Sequence, residues 1–254
     1  MARKEDHIAV FDSGVGGISV LKELMALMPG ENYLYFGDSA NAPYGDRPTA
    51  QVRQLTMAAA DMLMKRGIKA LVVACNTATA AAICDLRNAY PDTIIIGIEP
   101  ALKLAYDRYG AGRVGVMATQ VTLREEKFSH QLERFPDMQV SLIPAPGLVE
   151  LIESGKADSE ETENLLRLLL QPYVGKLDAL VLGCTHYPFV KDTVQKILGS
   201  EVQVLDGGAG TARQTCRLLE EKHLRRSSGV GSLKMENSSG KQELLQRGAE
   251  LLKR

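Results

Sequence analysis

The chain has 254 residues, 45% of them apolar, and its 30 Lys and Arg nearly balance 31 Asp and Glu to give a formal net charge of −1. This balance excludes the general basic field of a nucleic-acid-binding protein, so nucleic acid is not an expected partner. No signal segment precedes the first strand and no apolar stretch approaches the ~20 residues of a membrane span, which predicts a cytoplasmic protein without membrane contact.

Apolar segments of strand length alternate along the chain with segments of helical periodicity. Such alternation predicts βαβ units and largely parallel sheets with right-handed crossovers. The predicted strands cover residues 7–11, 33–36, 70–74, 93–98, 113–117, 139–144, 179–182, 202–205 and 232–237, and the predicted helices cover 18–28, 49–66, 77–89, 122–135, 159–174, 189–198, 210–222 and 241–254.

Two cysteines lie in matching sequence frames. Cys75 and Cys184 each end an apolar run and precede a polar pair, and they are 109 residues apart, close to the 106 residues that separate the strands starting at 7 and 113. The repeat predicts an α/β fold of two similar doubly wound domains with largely parallel sheets and the active site in the cleft between them. The first domain is predicted to comprise residues 1–98 and 207–254, and the second residues 99–206.

The cysteine usage indicates reduced thiols. The four cysteines, at 75, 84, 184 and 216, form no CxxC pair and do not cluster in sequence with the four histidines, so neither a disulfide framework nor a zinc site is expected. Cys84 and Cys216 fall in helical segments and are interpreted as structural. Cys75 and Cys184 could likewise be small apolar residues that finish buried strands, but the repeated frame favours a shared function.

A pair of thiols could serve three kinds of reaction. A nucleophilic hydrolase needs one cysteine and leaves the second unexplained, and a disulfide oxidoreductase usually carries CxxC. A racemase without a cofactor needs an acid and a base on opposite faces of one carbon, and a thiol and a thiolate in a pseudosymmetric cleft provide them. His186, next to the second frame, can exchange a proton near neutral pH.

A glycine-rich turn, residues 11–17, follows the first strand. Its spacing does not match the dinucleotide motif GxGxxG, and Asp12 would repel a pyrophosphate. Gly14, Gly16 and Gly17 permit a tight turn at which a helix N-terminus could offer N–H groups to a ligand carboxylate. Asp12 and Ser13 would then face the ligand. Alternatively, the residues at 12 and 13 simply cap the helix.

At these residues the chain resembles the glutamate racemases of the aspartate/glutamate racemase family, over essentially its whole length. The resemblance implies a cofactor-independent enzyme that interconverts L- and D-glutamate, supplies D-glutamate for peptidoglycan, and forms a homodimer of two-domain subunits. The motifs that carry the resemblance are Asp12-Ser13-Gly14-Val15-Gly16-Gly17, Gly37-Asp38-Ser39, Pro43-Tyr44-Gly45, Ala74-Cys75-Asn76-Thr77-Ala78, Gly97-Ile98-Glu99-Pro100 and Gly183-Cys184-Thr185-His186-Tyr187-Pro188.

The resemblance also implies residue roles. Cys75 would deprotonate D-glutamate with help from Asp12, and Cys184 would deprotonate L-glutamate with help from His186. Glu153 matches an acidic residue of the family near the second thiol, with Glu150 as a rival. The substrate would contact Asp12, Ser13, Tyr44, Gly45, Asn76, Thr77, Thr185 and His186.

Other interpretations stay open from the sequence. The enzyme could racemise aspartate or another amino acid, because pocket length cannot be inferred from these motifs. The chain could also be a noncatalytic binding protein that keeps the fold. Lys241 departs from the family pattern, which usually has an Asp after the preceding glycine of the last turn.

Overall fold

The computed structural model describes residues 2–124 and 126–254, and of Lys127 only the backbone. Strands and helices alternate along nearly the whole chain. The strands are β1 (Ile8–Asp12), β2 (Asn32–Gly37), β3 (Ala70–Val73), β4 (Ile94–Gly97), β5 (Arg113–Ala118), β6 (Gln139–Pro144), β7 (Ala179–Leu182), β8 (Gln203–Asp206) and β9 (Ser232–Asn237). The helices are α1 (Ile18–Leu27), α2 (Thr49–Met64), α3 (Asn76–Ala89), α4 (Leu102–Tyr109), α5 (Gln120–Arg124), α6 (Glu126–Glu133), α7 (Leu148–Glu153), α8 (Glu160–Leu170), α9 (Lys191–Leu198), α10 (Gly208–Glu221) and α11 (Gln242–Lys253).

Two parallel sheets have the same strand order. Among the described residues, one sheet is ordered β4-β3-β1-β2-β9 and the other β8-β7-β5-β6, and each pair of neighbouring strands is parallel. Strands β1 to β4 therefore correspond one by one to β5 to β8. This correspondence confirms the predicted fold class of two similar α/β units.

The last strand belongs to the first sheet. Strand β9 pairs in parallel with β2, from Asn32 beside Ser232 to Gly37 beside Asn237. The second sheet has no equivalent of β9 among the described residues. The predicted domain limits at 98/99 and 206/207 stay a prediction, although each predicted strand falls in the sheet that those limits assign to it.

The strands form because both of their faces are buried. In β1, Ile8 and Val10 belong to one core cluster and Ala9 and Phe11 to another, on the opposite face of the sheet. The alternation follows from the two-residue period of side chains along a strand, and helices cover both faces of a parallel sheet. The second sheet is likewise packed between two clusters.

The structure differs from the predicted elements in a few places. The helices α4 and α7 have no counterpart among the predicted elements. The predicted helix at 122–135 corresponds to α5 and α6, on either side of residue 125, which lies outside the described residues. The predicted helix at 159–174 ends at Leu170 and continues as a 3-10 helix over Gln171–Tyr173, where Pro172 interrupts regular hydrogen bonding.

The corresponding strands deliver both cysteines to the same edge of their sheets. The N–H of Ala74 donates to the Phe11 carbonyl at 2.7 Å, and the N–H of Gly183 donates to the Met117 carbonyl at 2.8 Å. Each bond lies one residue before a cysteine, where the strand ends. In open α/β sheets this carboxyl edge is where ligands bind.

The described part of the chain contains neither a membrane-spanning helix nor a cluster of metal-binding side chains. None of the helices there is long and apolar enough to cross a bilayer. Nor do three or more His, Cys, Asp or Glu side chains there lie close enough together to hold a metal ion.

Candidate active site

A cavity of about 190 Å³ opens between the two sheets at their carboxyl edges. Both frame cysteines line it, and both are largely buried, with Cys75 6% and Cys184 7% exposed. Its volume suits a small molecule better than a dinucleotide. Residues from both halves line the cavity: Ser13, Ala42, Pro43, Tyr44, Gly45, Asp46, Cys75, Asn76 and Thr77 from the first, and Thr119, Gln120, Ala145, Pro146, Gly147, Val149, Glu150, Glu153, Cys184, Thr185 and His186 from the second.

Cys75 lies at the N-terminus of α3, and its hydrogen-bond partners are neutral. Its Sγ accepts a hydrogen bond from the N–H of Ala78 at 3.4 Å and lies 3.6 Å from the Ser13 hydroxyl oxygen. Burial raises the pKa of the Cys75 thiol to about 12, and the negative charge of Asp12 adds to the rise, while the Ala78 and Ser13 hydrogen bonds oppose it. The neutral thiol is therefore the favoured form of Cys75 at pH 7.

Asp12 ends β1 and is fully buried, with both carboxylate oxygens bonded. Oδ1 accepts the N–H of Gly14 at 2.8 Å, and Oδ2 accepts the hydroxyl of Thr185, from the other half, at 3.0 Å. Burial raises the pKa of Asp12, whereas the nearby charge of His186 and the two hydrogen bonds pull it down. Asp12 thus joins the residues on both sides of the cavity.

Cys184 lies beside a charged pair. His186 Nδ1 is 3.7 Å from Cys184 Sγ, and His186 Nε2 is 2.9 Å from Glu153 Oε1. Burial lowers the pKa of His186, but its hydrogen bonds to Cys184 and Glu153 and their negative charges outweigh burial and raise that pKa well above 6.5. Burial likewise raises the pKa of Glu153, but His186 and the Val15 N–H outweigh this effect and lower it. The pair is thus an imidazolium and a carboxylate near neutral pH.

Asn76, which follows Cys75, carries an amide with no bonding partner. Among the described residues, neither its side-chain oxygen nor its nitrogen has a hydrogen-bond partner, although the residue is only 5% exposed. Leaving such a group unsatisfied costs about 1–3 kcal/mol. Asn76 also lines the cavity, so a bound ligand could satisfy its amide.

Sequence and structure comparisons extend these observations. The family described as Asp/Glu/Hydantoin racemase matches residues 19–215. The chain belongs to this family. The glutamate racemase of Clostridium kluyveri is 48% identical over 256 residues, covering 100% of both chains. The glutamate racemase of Thermus thermophilus, solved with beta-chloro-D-alanine, matches with a TM-score of 0.85 and 38% identity over 99% of this chain and 94% of that one. The glutamate racemase of Francisella tularensis, solved with D-glutamate, matches with a TM-score of 0.88 and 28% identity over 99% of this chain and 95% of that one.

Membership confirms that the chain is an enzyme, an amino-acid racemase. The structure brings together the racemase residues predicted from sequence. All of them except Asp12 line the cavity directly, and Asp12 lies behind it, bonded to Thr185. Their roles towards a substrate stay predictions.

The two candidate acids on α7 have different positions. Both line the cavity, but Glu153 bonds to His186 and accepts the Val15 N–H, whereas Glu150 lies one turn earlier. Sequence reasoning could not choose between them because it did not predict α7. The geometry places Glu153, and not Glu150, in hydrogen-bonding contact with His186.

Two N–H groups of the glycine turn bond to side chains of the protein itself. The Val15 N–H donates to Glu153 at 3.2 Å and the Gly14 N–H donates to Asp12, so the carboxylates held at this turn belong to the protein. Capping does not explain the turn either, because α1 has Gly17 at its N-cap and no side-chain capping bond. The turn therefore lies against the second half of the racemase at Gly14 and Val15, while Ser13 lines the cavity.

Sequence reasoning missed a cluster of three hydroxyl groups. Thr77 Oγ1 lies 3.1 Å from Thr119 Oγ1 and 3.3 Å from Thr122 Oγ1, and the latter two are 3.0 Å apart. Thr77 comes from the first half and its partners from the second. The signal that could have found Thr119 is the repeat, since it follows β5 as Ser13 follows β1.

Proposed function

We propose that this racemase interconverts L- and D-glutamate without a cofactor, with Cys75 and Cys184 as the acid and the base. The observation that carries the proposal is that two buried thiols, delivered by corresponding strands of two similar sheets, line one small cavity from its two halves. Inversion at a carbon requires proton removal from one face and proton delivery to the other. A pseudosymmetric pair of thiols meets that requirement.

The proposed reaction from L-glutamate begins with the Cys184 thiolate. It takes the α-proton and becomes a thiol, while the electron pair of the broken C–H bond spreads into the α-carboxylate. The Cys75 thiol then gives its proton to the opposite face and becomes a thiolate, releasing D-glutamate. The reverse direction exchanges the roles, and proton exchange with solvent resets the pair. No atom is oxidised or reduced.

The surroundings support this starting state. The raised pKa of Cys75 favours its thiol form, and the imidazolium of His186 can stabilise a negative sulfur on Cys184. Glu153 fixes the imidazole through Nε2, so that Nδ1 faces the sulfur. Asp12 would assist proton transfer at Cys75.

The cavity lining supports an amino-acid substrate with a carboxylate side chain. The unpartnered Asn76 amide and the hydroxyls of Ser13, Thr77 and Thr185 offer hydrogen bonds to carboxylates and an ammonium group. Glutamate is favoured over aspartate by the 44–48% identity to curated glutamate racemases along nearly the whole chain. The substrate would contact these residues together with Tyr44, Gly45 and His186.

The resemblance supports three wider proposals. The D-glutamate produced would serve peptidoglycan synthesis, the enzyme would act in the cytoplasm, and it would assemble as a homodimer. Growth of a D-glutamate-requiring bacterial strain that expresses the chain tests the first, and analytical ultracentrifugation tests the last. Failure of growth rescue by an active enzyme, or a single sedimenting monomer at micromolar concentration, would contradict them.

The experiment that tests the activity follows racemisation of L-glutamate in D₂O with the purified protein. We expect D-glutamate carrying deuterium at Cα, and a loss of at least ~10³-fold for Cys75→Ser and for Cys184→Ser. Cys84→Ser is the matched control, because Cys84 is exposed on α3 and outside the cavity, and it should stay fully active. Activity retained by either frame variant would disprove the mechanism, and a higher specificity constant for aspartate would reassign the substrate.

A further inference from the structure

The glycine turn of the first half makes close contact with the charged pair of the second half. A Cβ added at Gly14 would lie 1.8 Å from Glu153 Oε1. A Cβ added at Gly16 would lie 2.4 Å from His186 Nδ1 and 2.6 Å from Thr185 Oγ1. Neither glycine has a positive φ, so the backbone does not require glycine at either position. Glycine is needed there for space.

The turn also donates a hydrogen bond across the cleft. Glu153 Oε1 accepts the Val15 N–H at 3.2 Å while it lies 2.9 Å from His186 Nε2, so a single oxygen joins the turn to the imidazole. This N–H is firmly oriented. The Tyr35 hydroxyl donates to the Gly14 carbonyl at 2.8 Å, and the Ile18 N–H donates to the Val15 carbonyl.

A second contact fixes the same turn to the segment after Cys184. The Ser19 hydroxyl lies 2.9 Å from the Gly16 carbonyl and 2.8 Å from the Thr185 carbonyl, and its single proton can be donated to either carbonyl or shared between them. The Thr185 side chain in turn donates to Asp12. The residues next to the second thiol are therefore held by the first half as well as by their own.

We propose that Gly14, Val15 and Gly16 are positioning residues, which hold the Glu153 carboxylate and the His186 ring in line with Cys184. The hydrogen-bonded chain behind Cys184 is then complete only when the two halves are together. This inference rests on the proposed function, since it assigns the turn a role in the proton transfer at Cys184. It also explains why the turn contains glycines at positions 14 and 16.

The test introduces a methyl group at each glycine. Gly14→Ala displaces Glu153, and Gly16→Ala displaces His186, so kcat/KM for glutamate should fall about 100-fold in each, the size expected for a misplacement of ~1 Å. Gly210→Ala is the matched control. It adds the same methyl where no atom outside its own stretch of helix lies within 4 Å, and it should leave kcat/KM unchanged.

A rescue variant, measured for both activity and stability, shows whether Gly14→Ala loses activity because Glu153 is displaced or because the protein misfolds. Shortening the acid in Gly14→Ala/Glu153→Asp makes room for the new methyl, so this double variant should recover at least 10-fold in kcat/KM over Gly14→Ala alone. Urea unfolding of both variants accompanies the assay, because a turn needed only for folding would show a lowered midpoint in Gly14→Ala that the double variant restores together with kcat/KM. Absence of any recovery would overturn the proposal.

The charge state of His186 provides a readout that does not depend on activity. The titratable groups that face this ring are Cys184, Glu153 and Asp12, from three different elements. NMR of ¹⁵N-labelled histidine, with His186→Asn used for assignment, should show His186 titrating well above pH 6.5 in the wild type and at lower pH in Gly14→Ala.

The two readouts distinguish the possible failures. If the wild-type protein does not racemise glutamate, the proposed function fails, and the His186 titration alone still decides the positioning role. If His186 titrates in Gly14→Ala as it does in the wild type, the positioning role is disproved, whatever the activity. A lower titration together with rescue in the double variant supports it.

Discussion

The two cysteine frames are alike in backbone and unlike in charge. In both halves, a threonine one or two residues after the cysteine contacts the end of the first strand of the opposite half. On the first side this contact joins the neutral hydroxyls of Thr77 and Thr119, and on the second side it joins Thr185 to the Asp12 carboxylate. His186 occupies the position that corresponds to Thr77. The repeat thus preserves the location of each sulfur, while single side chains determine its protonation.

The difference shows how a symmetric fold produces a directional site. A racemase handles mirror-image substrates, but the proposed mechanism requires one of the two thiols to be protonated and the other to be a thiolate. Burial and Asp12 keep the proton on Cys75, and the imidazolium of His186 can compensate a charge on Cys184. The asymmetry therefore lies in residues at the strand ends and not in the sheets.

The largest expected effect comes from removing one thiol at a time. In Cys75→Ala and in Cys184→Ala, racemisation should fall by at least ~10³-fold, because each variant lacks one of the two proton carriers. Each variant should still exchange the α-proton of one enantiomer with D₂O. Cys75→Ala should exchange that of L-glutamate, because Cys184 remains, and Cys184→Ala should exchange that of D-glutamate, because Cys75 remains. NMR of the Cα proton, with both enantiomers supplied separately, measures this. The opposite pattern would reverse the assignment of the two faces.

The next effect compares the other ends of the sheets, where Lys69 precedes β3 and Asp178 occupies the corresponding position before β7. Their N–H groups make equivalent bonds, to the carbonyls of His7 and Arg113. The Lys69 side chain is fully buried and pairs with buried Glu31, whereas the Asp178–Arg113 pair is 32% and 49% exposed. Opening a buried pair leaves an uncompensated charge, while an exposed pair is screened by water and salt.

We therefore expect Lys69→Met to lower the free energy of unfolding by about 3–5 kcal/mol and Asp178→Asn to lower it far less. Lys69 also donates to the carbonyl of Leu224, and Glu31 accepts the N–H of Arg226. Loss of the Lys69 ammonium should therefore also weaken the attachment of the segment that leads into β9. Urea unfolding measures both variants. Equal losses would show that burial does not distinguish the two positions.

The pH dependence of stability tests the charged side of the comparison. The pKa of His186 is raised in the folded protein, so between 6.5 and the folded pKa the native state holds a proton that the unfolded chain has released. The stability that this proton provides is fully present below pH 6.5 and is lost as pH rises, by up to about 1.4 kcal/mol per pH unit. In His186→Asn this slope should disappear. Urea midpoints between pH 6.5 and about 8.5 measure it, and an unchanged slope would contradict the charge assignment.

Much of the architecture could be predicted because it depends on local patterns. The alternation of apolar strands and periodic helices and the two cysteine frames indicated the paired sheets and the shared cleft. The partners of the site residues could not be predicted, because they come from the other half of the chain. Asp12 bonds to Thr185 and Glu153 bonds to Val15, and no spacing in the sequence encodes contacts 173 or 138 residues apart.

The smallest expected effect concerns the neutral side. Asp12→Asn removes the negative charge that helps to raise the pKa of Cys75, so that pKa should fall from about 12 yet stay above 9, because burial is the larger cause. A lower pKa means a larger thiolate fraction at pH 8, and iodoacetamide should alkylate Cys75 a few-fold faster in a protein whose other cysteines are serine. The same substitution in a variant that keeps only Cys84 should leave its alkylation unchanged, since Cys84 is exposed on the far part of α3. Slower alkylation of Cys75 would mean that Asp12 withdraws the proton from this thiol at rest, and the two sides of the cavity would then be more alike than their charges indicate.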